Sequence, residues 1–337
     1  MPRSIFALAI ATALAALGGD AAAEETALIF AAATPATAEV NLEFMKPWAE
    51  RITAQGKGVL RIDYREGLAL ANTVNSYDRV LSDAVQISFM LPAYVAGKFP
   101  RSQVVTLPFV APENGEEGSV ALWRLYADGT LAAEYDQIHP LMIAQISYGS
   151  IHMTRPLASP TELDGLKLMV TSRTLSDTIA RLGGAPLSLP IDQLYESVSR
   201  RLVDGAVVGW PTFQPFKMIE ITTYHIDKGL GSSVGVIFMA KKKYDALPAA
   251  ARSVLDANSG EPASRAYGRF WDEMAERARA LIKRTPGQRL VPLDAAQTAS
   301  WREKSAPVIA DWAKSIPDGR KLLDRFTLML AAINAGK

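Results

Sequence analysis

Hydrophobic and polar positions along the chain alternate with two periods, one typical of strands and one typical of helices. Short, continuous apolar or alternating runs predict buried strands at residues 27–33, 59–64, 84–90, 141–147, 166–170, 206–208 and 234–240. Between some of these runs, apolar residues recur at helical spacing and predict helices at residues 40–55, 76–81 and 175–182. Strands that alternate with helices predict an α/β fold with mostly parallel sheets, in which ligands bind beyond the carboxyl ends of the strands.

The C-terminal third has a different pattern, because it contains helical periodicity almost throughout. The predicted helices cover residues 248–258, 263–283, 297–314 and 319–335. The second of them carries Tyr267, Phe270, Trp271 and Met274 on one face, and aromatic stripes of this kind are typical of a packed core.

The N-terminus has the parts of a secretory signal peptide. Arg3 gives a positive start, residues 5–17 are apolar, and three alanines at residues 21–23 offer a cleavage site. The apolar run is shorter than the ~20 residues that a membrane-spanning helix needs. We therefore expect residues 1–23 to be removed and the mature protein to be free in the periplasm. The chain contains no cysteine, which excludes a lipid anchor on cysteine, disulfides and thiolate chemistry.

Length and charge narrow the class of protein further. Removing 23 residues from 337 leaves 314, which exceeds the usual size of a single core and favours two domains. Lys and Arg number 36 and Asp and Glu 35, and such a balance argues against binding to nucleic acid or to a membrane surface.

Motifs for catalysis are missing from the sequence. His139, His152 and His225 are not at metal-ligand spacing, and no H-E-x-x-H, G-x-S-x-G or phosphate-binding loop is present. We expect no metal, no cofactor and no enzymatic activity, and instead expect an exported protein that captures a small molecule.

Several segments, taken together, resemble the extracytoplasmic solute receptors of tripartite ATP-independent periplasmic (TRAP) transporters. The resemblance covers nearly the whole mature chain. The segments that carry it are residues 80–88 (VLSDAVQIS), 94–109 (YVAGKFPRSQVVTLPF), 163–168 (LDGLKL), 183–186 (GGAP) and 202–205 (LVDG).

This resemblance implies a two-lobed periplasmic-binding-protein fold with a hinge, a cleft between the lobes and long C-terminal helices. Lobe I is expected to comprise residues 24–147 and about 232–275, and lobe II residues 148–231 and about 276–335. A helix at residues 263–284 is expected to cross both lobes. The resemblance also implies that the cleft closes on the solute, and that the partners are a small and a large integral membrane subunit driven by an ion gradient. We expect the receptor itself to be a monomer.

Two positions depart from what the resemblance implies for the ligand site. The family has an arginine, which pairs with a substrate carboxylate, at the position that Met169 occupies here, and often an asparagine at the position of Val208. Methionine and valine carry neither charge nor a hydrogen-bond donor, so the predicted pocket is less polar than in most of the family.

Nearby residues offer compensation. Arg173 and the N-terminus of the helix that Ser172 begins are candidates to hold one carboxylate. Trp210 is a candidate stacking surface, and further candidate ligand-binding residues near the strand ends are Tyr148, Met90, His152 and Phe213.

The sequence therefore predicts a receptor for a small organic acid, a monocarboxylate with an apolar or aromatic body. Three alternatives remain open: a receptor for a neutral or cationic solute, a sensory solute-binding protein, and an exported hydrolase.

Overall fold

The computed structural model describes residues 25–336, which form two β-sheets surrounded by helices. The expected signal peptide, residues 1–23, lies outside the described residues. The strands are Thr26–Ala31 (β1), Leu60–Arg65 (β2), Ile87–Met90 (β3), Ile138–Ile146 (β4), Gly149–Met153 (β5), Lys167–Val170 (β6), Ala185–Ser188 (β7), Gly205–Gly209 (β8), Tyr224–Asp227 (β9), Ser233–Ala240 (β10) and Arg289–Pro292 (β11).

Helices cover both sheets. They are Lys46–Gln55 (α1), Ser76–Leu81 (α2), Gly115–Ala127 (α3), Arg173–Arg181 (α4), Leu194–Ser199 (α5), Met218–Ile221 (α6), Lys241–Asp245 (α7), Ala249–Ala257 (α8), Gly260–Arg284 (α9), Ala295–Ser315 (α10) and Gly319–Asn334 (α11). A π-helical turn, Val40–Met45, leads directly into α1. Short 3-10 turns occupy Pro92–Tyr94, Ser102–Thr106, Ala132–Tyr135, Ile191–Gln193 and Trp210–Thr212.

The two sheets define two lobes, as expected. Lobe I contains the sheet β2-β1-β3-β10-β4 and lobe II the sheet β11-β9-β5-β8-β6-β7. Both sheets are mixed, because β10 is antiparallel to β3 and β4, and β5 is antiparallel to β8 and β9. In each sheet of the described residues one strand, β10 or β5, runs opposite to all the others, so the expectation of mostly parallel sheets is confirmed. These two strands are reversed because they begin directly after the chain has crossed from one lobe to the other, and they enter their sheets from the opposite direction.

Local signals explain where key helices begin. Asn114 accepts a hydrogen bond from the Glu117 N–H and starts α3, and Ser172 accepts one from the Leu175 N–H and starts α4. Asp294 and Gln297 form a reciprocal capping box at the start of α10. Each of these side chains satisfies an N–H group that the first turn of a helix leaves without a partner.

The chain crosses between the lobes at residues 147–148 and 228–232, and again within α9. In α9, Tyr267 and Phe270 belong to the core of lobe I, whereas Ala278 and Ile282 belong to the core of lobe II. The expectation that this helix spans both lobes is therefore confirmed.

The last helix lies elsewhere than expected. Leu322, Leu323 and Phe326 of α11 are buried in the lobe I core with residues of α3. Residues 276–335 therefore do not all belong to lobe II. The chain returns to lobe I within α10, where Ile309 and Trp312 pack against the lobe I core, and α11 then buries its apolar face beside α3, which is favourable.

Candidate functional site

A cavity of about 240 Å³ lies between the two lobes. Its walls come from the segments that follow β1, β2 and β3 in lobe I and β6, β7 and β8 in lobe II, and from one side of α9. This is the position that an α/β sheet favours for a ligand. The volume is below the roughly 300–1,000 Å³ of sites for drug-sized molecules, so an enclosed occupant has to be small.

Most of the wall is apolar. The apolar and aromatic side chains around the cavity include Phe89, Leu91, Ile146, Leu175, Val207, Val208, Phe216, Trp271 and Met274. Aromatic rings from lobe I, lobe II and α9 thus face one small space. Such a wall binds a flat or hydrophobic body through burial of apolar surface.

Neutral polar groups interrupt this wall at a few points. The Ser147 hydroxyl, directly after β4, is buried and has no hydrogen-bond partner within residues 25–336. Thr171 and Leu175 place the first turn of α4 beside the cavity. The N-terminus of α4 carries partial positive charge from the helix dipole, and this favours an anionic group.

Charged groups in the wall are acidic. Glu39 and Asp192 line the cavity, and the lining that the structure describes includes no Lys, Arg or His. Burial raises the pKa of Glu39, and the neighbouring Glu43 raises it further, while Arg277 acts in the opposite direction. The Oε2 atom of Glu39 is buried and accepts no hydrogen bond from any described residue. Asp192, in contrast, is exposed at the cavity mouth.

Of the residues predicted from the sequence, Val208 lines the cavity. Arg173 does not, because its side chain is 91% exposed and pairs with Asp177 one turn along α4. Its candidate role in holding a carboxylate is therefore not supported by this geometry. The sequence could identify the start of α4 but not the direction of this side chain, which is set by its place at the first helical position.

Met90 and Met169 are both fully buried in strands and do not line the cavity. Met90 belongs to the core of lobe I and Met169 to that of lobe II, where the Ser197 hydroxyl approaches its sulfur at 3.9 Å. The alternation of side chains along a strand turns both of them into the cores. The position of Met169 is therefore a packing position in this chain.

Tyr148 and Trp210 lie behind the cavity, in a buried polar cluster. Asp227 accepts hydrogen bonds from the Tyr148 hydroxyl at 3.1 Å, from Trp210 Nε1 at 3.0 Å and from Arg279 Nε at 3.2 Å. Arg279 also donates to the Tyr148 hydroxyl and stacks on both rings, 5.1 Å and 5.5 Å from their centroids. Burial raises the pKa of Tyr148 well above its usual range. These four side chains join the segment at residues 147–148 to α9, and the two aromatic candidates have a structural role here.

His152 and Phe213 are buried in the same region. His152 Nδ1 lies 3.1 Å from His225 Nδ1, so one of these nitrogens has to donate and the other to accept. His152 Nε2 lies 3.2 Å from the Val208 carbonyl oxygen, and Phe213 packs edge-on against the His152 ring. Burial holds the pKa of His152 well below its usual range and lowers that of His225 to about 4. Both rings support the wall that Val208 forms.

Sequence reasoning missed several residues that form the wall. Glu39, Tyr94, Ser147 and Trp271 were not among the candidates, although the loops after residues 33 and 90 had been identified as ligand-facing. Met90 and Met169 were taken from the strands, where their side chains point into the cores, and Trp210 and Phe213, which lie beyond a strand end, turn into the lobe II core. Tyr94 and Glu39 lie in loops after the predicted strands, and because loop residues follow no period, the sequence pattern does not single them out.

Within residues 25–336, no group of three or more His, Asp or Glu side chains is placed to hold a metal ion. None of the helices in that range is both long and apolar enough to cross a membrane.

The sequence matches a known protein family. The sequence model of the family described as bacterial extracellular solute-binding protein, family 7, matches residues 30–315. The chain belongs to this family. Family 7 solute-binding proteins are the receptors of TRAP transporters, so the resemblance seen in the sequence is confirmed.

Two solved structures of family 7 relatives are similar over nearly their full lengths. A marine metagenome TRAP solute-binding protein specific for aromatic acid ligands is 26% identical, with a TM-score of 0.86 over 91% of this chain and 99% of that one. A TRAP solute-binding protein from Rhodoferax ferrireducens T118, solved with copurified benzoate, is 25% identical, with a TM-score of 0.85 over 91% of this chain and 98% of the other.

A curated relative from Comamonas testosteroni, named outer membrane transporter protein TsaT, extends the likeness to almost the full sequence. It is 25% identical over 336 residues, which is 96% of this chain and 98% of the relative. The family 7 protein described here is thus an extracytoplasmic receptor for a small solute, with the two-lobed fold of that family.

Proposed function

We propose that this family 7 protein captures a small aromatic or apolar monocarboxylic acid in the cavity between its lobes and delivers it to the membrane subunits of a TRAP transporter. The observation that carries the proposal is the cavity wall, in which Phe89, Phe216 and Trp271 surround a space of about 240 Å³. Relatives at 26% and 25% identity, described as specific for aromatic acids and as holding benzoate, bind ligands of this size and shape.

The carboxylate of such a ligand would be held by neutral donors and the helix dipole. The buried Ser147 hydroxyl lacks a partner in the described structure, and the first turn of α4 borders the cavity at Thr171. A helix N-terminus binds anions without a positively charged side chain. This replaces the arginine that the resemblance implies and that Met169 does not supply.

The remaining properties follow from family membership and from the sequence. We propose that the chain is exported by cleavage after Ala23, acts in the periplasm as a monomer, and releases its ligand unchanged. Its partners would be one small and one large integral membrane subunit. Among the described residues of the cavity wall, no serine or threonine hydroxyl is hydrogen-bonded to a carboxylate or an imidazole, which is the arrangement that hydrolysis with a protein nucleophile needs.

One observation favours a second candidate, a neutral or cationic solute. The described lining includes Glu39 and Asp192 but no basic side chain, and unpaired buried anions are costly. A cation would be attracted by both carboxylates, whereas a carboxylic acid depends on the donors at the other end of the cavity.

Ligand binding with matched compounds tests the proposal. The mature chain, residues 24–337, would be unfolded and refolded to remove copurified ligand and then titrated calorimetrically with benzoate, benzamide, benzylamine and succinate. We expect benzoate to bind and succinate not to bind, because a second carboxylate would meet Glu39. Equal or tighter binding of benzylamine would contradict the acid proposal and favour the cationic one. Mass spectrometry of the recovered ligand would expose any turnover.

A further inference from the structure

Glu39 is the less exposed of the two carboxylates in the described wall of the cavity, and no described residue donates a hydrogen bond to its Oε2 atom. The Thr34 hydroxyl donates to Asn41 Oδ1 at 2.7 Å, and the Tyr64 hydroxyl donates to the same atom at 2.9 Å. Arg277 donates to Glu43 Oε2 at 2.7 Å. None of these three side chains donates a hydrogen bond to Glu39 in the described structure.

The orphan atom is Glu39 Oε2, which is buried and accepts no hydrogen bond in the described structure. A buried acceptor without a partner is unfavourable, and native proteins rarely leave one. Because Glu39 lines the cavity, a rotation of its side chain would bring this oxygen to a donor on the ligand.

The other acidic residue in the wall is less suited to this task. Asp192 is exposed in the 3-10 turn Ile191–Gln193 at the mouth, where water satisfies and screens its carboxylate. Glu39 instead lies where the π-helical turn Val40–Met45 begins, and on the lobe I side it is accompanied by the apolar residues Ala38 and Val40.

We propose that Glu39 determines ligand specificity by accepting a hydrogen bond from a hydroxyl or amino group on the body of the ligand. The preferred solute is then a hydroxy- or amino-substituted aromatic acid, with its donor in lobe I at Glu39 and its carboxylate near Ser147 and α4. The inference rests on the proposed function for the carboxylate, but the donor group is a separate requirement.

This arrangement also accounts for the charge pattern of the wall. A hydroxyl gains from a carboxylate acceptor, because hydrogen bonds to ionised groups are stronger than neutral ones. A second carboxylate in the ligand would be repelled at the same point. Glu39 thus selects for a donor and against a dicarboxylate by the same charge.

A four-compound cycle tests the donor and the acid independently. Affinities of the wild-type mature chain would be measured by calorimetry for 3-hydroxybenzoate, 3-fluorobenzoate, 3-hydroxybenzamide and 3-fluorobenzamide, and the 4-substituted and amino analogues would be measured alongside. Fluorine is close to hydroxyl in size and donates no hydrogen bond. We expect at least one hydroxy- or aminobenzoate to bind about 10-fold or more tightly than its fluoro partner.

The variant Glu39→Gln identifies the acceptor. It keeps the length of the side chain and replaces the charged acceptor by an amide, so the preference for the donor should fall to within about 3-fold. Glu50→Gln, on the exposed side of α1, makes the same change in net charge outside the cavity and should keep the preference. Thermal unfolding would be recorded for both variants to verify that they fold.

The outcomes separate the two proposals. No preference for a donor in the wild-type chain, or a preference that survives Glu39→Gln, overturns the role of Glu39. Benzamides that bind as tightly as the benzoates overturn the acid proposal, while the comparison of hydroxy with fluoro compounds still decides the role of Glu39. Failure of every compound to bind overturns both.

Discussion

The backbone N–H of Ile191 in lobe II donates a hydrogen bond of 3.2 Å to the hydroxyl of Tyr94 in lobe I. Both residues line the cavity between the lobes, so this bond joins the two walls directly beside the space for the ligand. Burial raises the pKa of the Tyr94 hydroxyl, which keeps it protonated. The bond exists only while the lobes are together.

Removing that hydroxyl should weaken the closed state. In Tyr94→Phe the loss of one hydrogen bond of about 0.5–1.5 kcal/mol should lower ligand affinity about 2- to 10-fold. The change should appear mainly as faster dissociation, measured by stopped-flow fluorescence with the tightest ligand of the benzoate series. Tyr195→Phe is the control, because Tyr195 bonds Glu220 on the surface of lobe II. Equal dissociation rates in the two variants would contradict the role of Tyr94.

The cluster around Arg279 should contribute strongly to stability. The Arg279 and Asp227 side chains are 10% and 19% exposed, and removing the Asp227 charge leaves the buried Arg279 paired only with Glu276 among the described residues, whose side chain is 72% exposed. Asp227→Asn should reduce the free energy of unfolding by about 3 kcal/mol. Urea denaturation measures this change.

The matched control for that variant is an exposed ion pair. Arg173→Ala breaks the pair of Arg173 with Asp177, where the two side chains are 91% and 49% exposed, and should change stability by less than about 1 kcal/mol. The same variant should bind ligand as the wild type does. A large loss of affinity in Arg173→Ala would restore this residue to the site.

Introducing the arginine that is common in the family should damage this protein. Met169 is fully buried in the lobe II core, so Met169→Arg places an unpaired charge among apolar side chains. We expect a loss of at least about 3 kcal/mol in unfolding free energy, or failure to fold, whereas Met169→Leu should cost less than about 1.5 kcal/mol. A stable Met169→Arg variant with higher affinity for benzoate would show that this position can reach the ligand.

Acid should destabilise the fold through its histidines. Burial lowers the pKa of His139 and of His225 to about 4 from an ordinary value of 6.5, and it holds the pKa of His152 well below its ordinary value. The unfolded chain therefore binds more protons than the folded one below pH 6.5. The contribution of these neutral histidines to the free energy of unfolding is fully present above pH 6.5. It falls as the pH drops towards 4, by up to about 1.4 kcal/mol per pH unit for each histidine.

Urea denaturation at half-unit steps between pH 7 and pH 4.5 would measure that slope. Imidazole resonances in the folded state should show no titration across the upper part of this range. A flat stability profile, or a histidine that titrates near 6.5 in the native protein, would contradict the burial of these rings.

Much of the fold could be predicted from the sequence, because periodicity reports burial directly. The helix at Ser76–Leu81 was predicted at its observed limits, and the strand at Ser233–Ala240 within one residue. Four strands of lobe II were missed, namely Gly149–Met153, Ala185–Ser188, Tyr224–Asp227 and Arg289–Pro292. Ala185–Ser188 and Arg289–Pro292 lie at the two edges of the sheet and are only partly buried, so their apolar pattern is weak. The other two are buried, but each contains a histidine and other polar or small residues, so no continuous apolar run marks them.

The site could be predicted only to the level of its loops. Val208 was named because the family resemblance puts a ligand-site residue at its position, and it lines the cavity, whereas Arg173 points to solvent because local sequence does not fix the direction of a side chain at the start of a helix. Glu39 and Trp271 are separated by more than 200 residues and meet in one wall only after both lobes have folded. No local sequence pattern predicts that these two residues line the same cavity.

The helix Gly260–Arg284 sets a mechanical limit on this receptor. Its 25 residues form one continuous rod, about 37 Å long at 1.5 Å per residue, with one end embedded in each lobe and Trp271 and Met274 between them at the cavity. Two lobes joined only by extended strands could swing widely at little elastic cost. Here, opening the cleft has to flex this rod or slide its side chains within a packed core, so the amplitude of the motion is restrained by the stiffness of one helix.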